Sequence, residues 1–394
     1  MANTEVDKKK VAVLGASGSI GRSALSVLRG EICDFEPVLF SAHKDVEALF
    51  ELGREFPAAL LVLSGADAAP LVNTFGKKRV FSGRDGLKSA ITECRAAVFV
   101  HGISGAAGLE ISLDVLKTGA DLALANKESV VMGWPLINIA ARRSKSRILP
   151  VDSEHSAIFK LINAHIHCPH DNESLEEIIL TASGGPFREY SAAELSGVTL
   201  EDALAHPTWN MGQKITIDSA TLANKGLEVI EASRLFCLPA AAIRVVIHRQ
   251  SIVHSMIRLR SGAVYGELSQ PDMRLPIHSA LYYPERRECC FGRLEFSEPF
   301  DLNFAPPDME RFPMLRLAYE ALKSGELYTA AYNAANEAAV EYFRAGSIGF
   351  TKIAELTETV LELDFSGSAL SLEAVFDADS RARRAAERYL TERV

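Results

Sequence analysis

Short apolar runs of strand length recur along residues 1–150, and apolar positions at helical spacing lie between them. The runs lie in the segments VAVL, FEPVLFSA, AALLVLS, RAAVFVHG and DLALA. Strands that alternate with helices build a parallel sheet with helices on both faces. The pattern therefore predicts a doubly wound α/β domain over residues 1–150.

The pattern changes beyond residue 150. Strand-like runs occur at LEEIILTA, IRVVIH, HSMIRLR and GAVYGELS, with helical segments among them. The run LAHPTWNMGQKITIDSATLANKGLEVIEASRLF is predicted to be a loop, a strand and then a helix, with Ser219 just before that helix. This mixture predicts an α+β domain over residues 151–285.

The last part of the chain follows a proline-rich connection, residues 286–311. Helical patterns then recur in PMLRLAYEALKSG, YTAAYNAANEAAVEYFRAG, FTKIAELTETVLEL and SLEAVFDADSRARRAAERYL. Successive amphipathic helices of this kind pack into a bundle. We predict a C-terminal α-helical bundle over residues 312–394, with a structural role.

Composition narrows the class of protein. The chain has 394 residues, of which 48% are hydrophobic and 24% charged, with a net charge of −9. These values are typical of a soluble globular protein of two or three domains, and they argue against a partner that is a nucleic acid or an anionic membrane. The six cysteines form no CxxC pair, and no apolar run is long enough to span a membrane. We expect a cytoplasmic protein.

The glycines after the first predicted strand carry the first candidate site. Gly15, Gly18 and Gly21 form a GxxGxxG motif that ends a strand and opens a helix near Ile20. Such a motif brings backbone and a helix N-terminus close to the pyrophosphate of a dinucleotide. A tight strand–helix turn without a ligand is the alternative.

The end of the second predicted strand bears on which dinucleotide is bound. It reads Ser41, Ala42, His43, Lys44, without the acidic residue that usually holds the ribose hydroxyls of NAD. A basic residue here favours the 2′-phosphate of NADP, although Asp45 is nearby. A solvated charged surface is the alternative.

Charged residues also follow later predicted strands. LALANKES places Asn126, Lys127 and Glu128 at the end of a buried strand, where α/β proteins bind ligands; a surface Lys–Glu pair is the alternative. PVDSEHSAIFK places Asp152 and Glu154 where a strand turns into a helix. A helix cap without further function would explain that second pair equally.

The helix predicted in SATLANKGLEVIEA places Asn224, Lys225 and Glu228 on one face, with Glu231 one turn further along. Ser219 would lie beside them, where hydroxyl and N–H groups suit an anion. The alternative is an exposed Lys–Glu pair with a serine cap.

Six segments together resemble one family. They are GASGSIG, LALANKES, PVDSEHSAIFK, LTASGGPFRE, HPTWNMGQKITIDSATLANKGLEVIEA and QPDMRLPI, in this order through most of the first 280 residues. In these motifs the chain resembles the 1-deoxy-D-xylulose 5-phosphate reductoisomerases.

The resemblance implies an NADPH-dependent enzyme of the non-mevalonate isoprenoid pathway. It would rearrange and reduce 1-deoxy-D-xylulose 5-phosphate, by a retro-aldol route or a 1,2-shift, to 2-C-methyl-D-erythritol 4-phosphate. The implied fold is a Rossmann-like NADPH-binding domain, a catalytic α+β domain and a helical bundle. A homodimer and one divalent cation, Mg²⁺, Mn²⁺ or Co²⁺, are also implied.

The resemblance also assigns residues. The implied metal ligands are Asp152, Glu154 and Glu228; three carboxylates without His or Cys suit a hard cation. The other implied catalytic residues are Lys127, His155 and Glu231. The implied substrate-binding residues are Lys127, Ser153, Glu154, Ser183, His206, Trp209, Met211, Ser219, Asn224, Lys225, Glu228 and His254. The implied NADPH-binding residues are Ser17, Gly18, Ser19, Ile20, Lys44, Asp45, Asn126, Glu128 and Gly212.

Ser183, Ser219, Asn224 and Lys225 would hold the substrate phosphate, and a loop near residues 203–213 would form a lid. One departure is His43, where relatives often carry glycine. Two other functions stay open from the residues alone. One is a simple NADP-dependent dehydrogenase of a phosphorylated sugar or semialdehyde, which needs no carboxylate triad. The other is a non-catalytic NADP-binding sensor.

Overall fold

The computed structural model describes residues 8–166, 174–205, 209 and 211–393. The strands are β1 (Lys9–Leu14), β2 (Phe35–Ala42), β3 (Leu60–Leu63), β4 (Val80–Ser82), β5 (Val98–His101), β6 (Asp121–Leu124), β7 (Ile148–Pro150), β8 (Leu175–Ala182), β9 (Ile243–Ile247), β10 (Val253–Leu259) and β11 (Val264–Leu268). The helices are α1 (Ser19–Gly30), α2 (Val46–Glu55), α3 (Ala69–Phe75), α4 (Gly83–Glu93), α5 (Gly108–Lys117), α6 (Lys127–Ser144), α7 (Ser153–His165), α8 (Ala192–Leu195), α9 (Leu200–Leu204), α10 (Gln213–Ala220), α11 (Ala223–Leu235), α12 (Arg274–Tyr282), α13 (Pro313–Ser324), α14 (Glu326–Arg344), α15 (Lys352–Leu361) and α16 (Leu372–Arg393).

The first seven strands form one parallel sheet in the order β4-β3-β2-β1-β5-β6-β7. The chain runs outward from β1 in one direction and then returns through β5 in the other, so the sheet is doubly wound as predicted. Val11, Ala12, Val13 and Leu14 of the central strand are fully buried. Helices on both faces explain this continuous apolar run, because neither face of such a sheet meets water.

The glycine turn after β1 lies beside the point where the strand order reverses. Gly15 has φ +80°, and a Cβ atom there would lie 3.0 Å from the carbonyl oxygen of Gly102, just after β5. A Cβ on Gly21 would lie 2.3 Å from the carbonyl oxygen of Gly15. Only glycine permits both approaches, and α1 begins at Ser19, one residue before the predicted start.

The second sheet is mixed, with the order β11-β10-β8-β9. β8 is parallel to β9 and antiparallel to β10, and β10 is antiparallel to β11. The four predicted strand runs of the α+β domain are therefore confirmed. The helix α7 packs against β10, and α11 packs against α13.

One prediction of secondary structure is wrong. The segment QKITIDSA forms the helix α10 and not a strand, and Ser219 therefore lies inside a helix that precedes α11. Ile215 and Ile217 fit a period of two, but Thr216, Ile217 and Ala220 share one buried helical face. Leu222, with φ +60°, separates α10 from α11.

The C-terminal helices α13 to α16 form the predicted helical region, in which α14 packs against α13, α15 and α16. In the described chain no helix combines the length and the apolar character that a membrane crossing needs.

The described residues divide into two compact units. One comprises residues 8–126, 137–152 and 272–291, and the other comprises residues 127–136, 153–271 and 292–393. The boundary between residues 136 and 137 lies inside the helix α6. Just before it, Gly133 leaves the helical conformation and Pro135 interrupts the helical hydrogen bonds. The boundaries 1–150, 151–285, 286–311 and 312–394 stay predictions.

Candidate active site

Three carboxylates converge where α7 begins. Asp152 directly precedes α7, Glu154 lies in its first turn, and Glu228 lies on α11. One carboxylate oxygen from each lies within 4.8 Å of the other two. A donor set of oxygen atoms alone suits a hard divalent cation such as Mg²⁺ or Mn²⁺. The residues predicted as metal ligands are therefore close enough to hold one ion.

Two lysines contact these carboxylates. Lys225 Nζ lies 2.7 Å from Glu154 Oε1 and also donates to Glu228. Lys127 Nζ lies 3.2 Å from Glu228 Oε1 and 2.7 Å from Asn224 Oδ1. Lys127 and Lys225 are only 5% and 3% exposed. The interpretation of either one as part of an exposed Lys–Glu pair is therefore wrong.

The charge on Lys225 is set by its neighbours. Burial alone would lower the pKa of its ammonium group, but the carboxylates of Glu154 and Glu228 outweigh burial and raise the pKa. Lys225 is thus a permanent cation at neutral pH. Such a point charge, presented from the first turn of a helix, can bind a phosphate.

Directly beside the carboxylates, His155 and Glu231 form a buried pair. His155 Nδ1 lies 3.5 Å from Glu231 Oε2, and His155 Nε2 donates to the backbone oxygen of Glu228 at 3.0 Å. Because a carbonyl oxygen can only accept, Nε2 carries a hydrogen atom. The pair thereby attaches α7 to α11, the two helices that carry Glu154 and Glu228.

The serines predicted to bind phosphate lie on two different segments. Ser183 follows β8 in a turn that contains Gly184 and Gly185, with φ of +82° and +68°. A Cβ on Gly185 would lie 2.7 Å from the backbone oxygen of Ser219 at the end of α10. The glycine turn thus allows the Ser183 segment to pack closely against the Ser219 segment.

Part of the predicted lid, residues 203–213, lies outside the described residues, and His206 is in that part. Trp209 is half-buried, and its ring centroid lies 6.4 Å from that of His254. His254 Nε2 lies 2.7 Å from Ser269 Oγ, and burial lowers the pKa of the imidazole despite the nearby Glu154. Met211 is half-buried and Gly212 precedes α10.

The predicted nucleotide segment has a different character. Ser17, Ser19 and Ile20 are half-buried and Gly18 is exposed at the start of α1. Here the backbone, and not a charged side chain, is the available binding group.

The end of β2 places an exposed Lys44 beside Asp45, whose carboxylate accepts a hydrogen bond from the Ala48 N–H at 3.0 Å. This capping bond engages one oxygen of the Asp45 carboxylate. Asn126 Nδ2 donates to the Gly105 carbonyl oxygen at 3.1 Å.

Sequence reasoning missed a buried polar cluster next to the site. Lys214 Nζ lies 2.7 Å from Asp218 Oδ2 and 3.7 Å from Glu128 Oε1, and Asn336 Nδ2 lies 2.8 Å from Asp218 Oδ1. The spacing of Lys214 and Asp218, four residues apart, is the signal that was available. This spacing indicates an ion pair only on a helix, and the segment is predicted above to be a strand.

Three family models match the chain in order. They describe 1-deoxy-D-xylulose 5-phosphate reductoisomerase over residues 11–133, its C-terminal domain over residues 148–236 and the DXP reductoisomerase C-terminal domain over residues 268–385. The 1-deoxy-D-xylulose 5-phosphate reductoisomerase of Treponema denticola is 44% identical over 387 residues, 98% of each chain.

The chain belongs to the 1-deoxy-D-xylulose 5-phosphate reductoisomerase family.

Solved reductoisomerases share the whole fold. The Zymomonas mobilis enzyme in complex with NADPH has a TM-score of 0.90 at 37% identity, covering 98% of this chain and 100% of its own. A DOX-P reductoisomerase in complex with NADPH, fosmidomycin and magnesium has a TM-score of 0.89 at 36% identity, covering 97% of this chain and 98% of its own. The magnesium in that reductoisomerase agrees with the ion class that the carboxylates suit here.

Proposed function

We propose that the protein catalyses the NADPH-dependent rearrangement and reduction of 1-deoxy-D-xylulose 5-phosphate in the non-mevalonate isoprenoid pathway. The product is 2-C-methyl-D-erythritol 4-phosphate. The observation that carries the proposal is the group of Asp152, Glu154 and the buried Glu228 with the buried Lys127 and Lys225, in a chain that matches reductoisomerases over nearly its full length.

Asp152, Glu154 and Glu228 would hold one divalent cation, Mg²⁺, Mn²⁺ or Co²⁺. Such an ion, when bound, polarises a carbonyl group and orients neighbouring oxygen atoms. His155 and Glu231 attach α7 to α11 and so hold Glu154 and Glu228 close to each other. They therefore act on the reaction through the carboxylates.

Lys225 and Asn224 bind the substrate phosphate together with Ser183 and Ser219. Support comes from the protonated, buried Lys225 in the first turn of α11 and from the close packing of the Ser183 turn on the end of α10. A phosphate held here gains charge-assisted hydrogen bonds from the buried ammonium group of Lys225.

Lys127, Ser153 and Glu154 contact the sugar end of the substrate. Ser153 Oγ donates to Glu154 Oε2 at 2.6 Å, so its lone pairs remain able to accept from a substrate hydroxyl. His206, Trp209 and Met211 cover the substrate, and His254, neutral because burial lowers its pKa, lies beside Trp209. A lid of this kind excludes water from the reacting groups.

Ser17, Gly18, Ser19 and Ile20 bind NADPH through the start of α1. Lys44, Asp45, Asn126, Glu128 and Gly212 complete the proposed NADPH-binding residues. NADPH supplies the hydride for the reduction. The capping role of Asp45 and the exposed Lys44 support a preference for NADPH over NADH.

We also propose a homodimer in the cytoplasm. The edge strand β11 exposes Val264, Tyr265 and Leu268, and the connection exposes Phe296 and Phe300, two apolar surfaces that a second copy could cover. Sedimentation velocity tests the dimer, and a monomer at micromolar concentration would contradict it.

The activity test is consumption of NADPH with 1-deoxy-D-xylulose 5-phosphate, with and without EDTA. We expect turnover that EDTA abolishes and that Mg²⁺ or Mn²⁺ restores. Turnover that is independent of metal would favour a simple dehydrogenase, and NADPH binding without turnover would favour a sensor.

A further inference from the structure

The helix α14 of the C-terminal bundle carries buried polar side chains. Asn333 and Asn336 are both 0% exposed, and Glu337 follows directly. Burying an amide or a carboxylate costs free energy unless a partner compensates for it. The partner of Asn336 lies on α10, the helix that carries Ser219.

The first partner is Asp218 on α10, which is 1% exposed. Asn336 Nδ2 donates to Asp218 Oδ1 at 2.8 Å, and Lys214 Nζ donates to Asp218 Oδ2 at 2.7 Å. Both carboxylate oxygens are thus engaged, one from α14 and one from α10 itself. The carboxylate also determines the orientation of the Asn336 amide, because a flipped amide would place the Asn336 oxygen against the Asp218 oxygen, and neither can donate.

The contacts extend to a second segment of the site. Lys214 Nζ lies 3.7 Å from Glu128 Oε1, and Glu128 follows Lys127 in the first turn of α6. On the other side, Glu337 accepts from Arg383 at 2.5 Å, and Arg383 Nε donates to Asp379 at 2.8 Å. A chain of charges and hydrogen bonds therefore joins α16 and α14 to α10 and α6.

Both ends of α10 carry proposed functional residues. Met211 and Gly212 of the lid segment lie just before it, and Ser219 lies in its last turn. Asp218 is the residue next to Ser219, so the bond from Asn336 restrains α10 at the residue directly before Ser219. A small rotation there would displace the hydroxyl from a phosphate that Lys225 and Asn224 bind from α11.

We infer that Asn336 and Asp218 are positioning residues that orient α10, and with it Ser219, for binding of the substrate phosphate. The inference rests on the proposed function. It gives the C-terminal bundle a part in substrate binding, in addition to its structural role. Fold specificity is one reason for retaining buried polar groups whose net contribution to stability is small.

The test compares Asn336→Leu with the parent. Leucine has a similar volume but no donor, so Asp218 Oδ1 loses its bond from α14. We expect KM for 1-deoxy-D-xylulose 5-phosphate to rise about tenfold, kcat to change less, and the Kd of NADPH to stay within about twofold. An unchanged KM in a folded variant would overturn the inference.

A second variant tests the bond itself and covers the case in which Asn336→Leu does not fold. In the double variant Asp218→Asn/Asn336→Asp the hydrogen bond has reversed polarity and the total charge is the same. We expect Asp218→Asn alone to raise KM about tenfold and the double variant to recover most of this loss. A double variant no better than Asp218→Asn would contradict a positioning bond.

The matched control is Tyr389→Phe. Tyr389 Oη donates to Glu355 Oε1 at 2.7 Å, between α16 and α15, so the change removes one hydrogen bond of the bundle without touching α10. We expect a lower melting temperature and an unchanged KM. A tenfold rise in KM here too would show that any loosening of the bundle has this effect, which would overturn the inference. A parent without turnover would instead contradict the proposed function.

Discussion

The proposed nucleotide-binding segment and the proposed metal and phosphate site differ in the groups that they offer to a ligand. The first depends on backbone, since a Cβ atom added to Gly15 or Gly21 would lie only 3.0 Å or 2.3 Å from a backbone oxygen, and its charged residue Lys44 is exposed. The second depends on side-chain charge, since Lys225 and Glu228 are 3% and 1% exposed.

This difference predicts how each region responds to substitution. Removing a charge from the buried site leaves its partner without compensation in a medium of low polarity, so the effect on the site is large. Removing an exposed charge near the nucleotide leaves a solvated surface, so the effect is small. Adding a single methyl group to a glycine of the nucleotide segment should weaken NADPH binding, whereas the same change at a position with open space around it should not.

The largest expected effect is that of Glu228→Gln. The change keeps the shape of the side chain but removes one carboxylate of the triad, and it also alters the environment of Lys127 and Lys225. We expect kcat/KM to fall about a thousandfold, which corresponds to ~4 kcal/mol of activation free energy, with NADPH affinity unchanged. Steady-state kinetics and NADPH titration measure the two quantities.

The matched control for this change is Glu177→Gln. Glu177 is buried on β8 and pairs with Arg244 at 3.0 Å, away from the triad. Stability should fall slightly while kcat/KM is retained. Equal losses of activity in both variants would mean that any carboxylate lost from this part of the fold has the same effect.

Lys225→Ala should act mainly on KM. The variant loses the buried ammonium group that we assign to the substrate phosphate, so KM should rise roughly tenfold to a hundredfold. Lys160→Ala is the control, because Lys160 also pairs with a glutamate, Glu267 at 2.5 Å, but further along α7. A normal KM in Lys225→Ala would remove Lys225 from the phosphate site.

Gly21→Ala tests the backbone character of the nucleotide segment. Its Cβ would lie 2.3 Å from the Gly15 backbone oxygen, so the turn must shift. We expect NADPH affinity to fall about tenfold and the free energy of unfolding to fall by ~1–3 kcal/mol. Gly30→Ala at the end of the same helix meets nothing within 4 Å, so it should leave NADPH affinity unchanged and should not lower the free energy of unfolding.

The smallest expected effect is that of Lys44→Ala. Loss of one exposed cation beside the proposed 2′-phosphate position should lower the preference for NADPH over NADH by about fivefold, measured as the ratio of the two kcat/KM values. The exposed Lys77 gives the control variant Lys77→Ala. An unaltered ratio in Lys44→Ala would place the 2′-phosphate elsewhere.

The two regions also differ in how far the sequence predicts them. β1, its glycine turn and α1 were predictable because apolar run, glycines and helical spacing are adjacent in the chain, and the strand order confirmed the doubly wound sheet. The contact between Lys225 and Glu154, 71 positions apart, cannot be seen in local patterns. The family resemblance assigns both residues to the active site, one to the phosphate and one to the metal, but does not predict that they touch.

The sequence does not predict the helix α10 or the burial of Asn336, and each failure has a physical reason. α10 was predicted to be a strand because Ile215 and Ile217 alternate with polar residues, a pattern that its buried helical face also satisfies. The burial of Asn336 had no local signal, because asparagine is usually exposed and its partner Asp218 lies 118 positions away.

The central claim is that Asp152, Glu154 and Glu228 bind one divalent cation. Calorimetric titration of the parent and of Glu228→Gln with Mn²⁺ tests it directly, without dependence on turnover. We predict one Mn²⁺ per chain in the parent and at least tenfold weaker binding in Glu228→Gln. Equal affinity in the two proteins would contradict the triad, and the pair Asp152 and Glu154 would then be a helix cap alone.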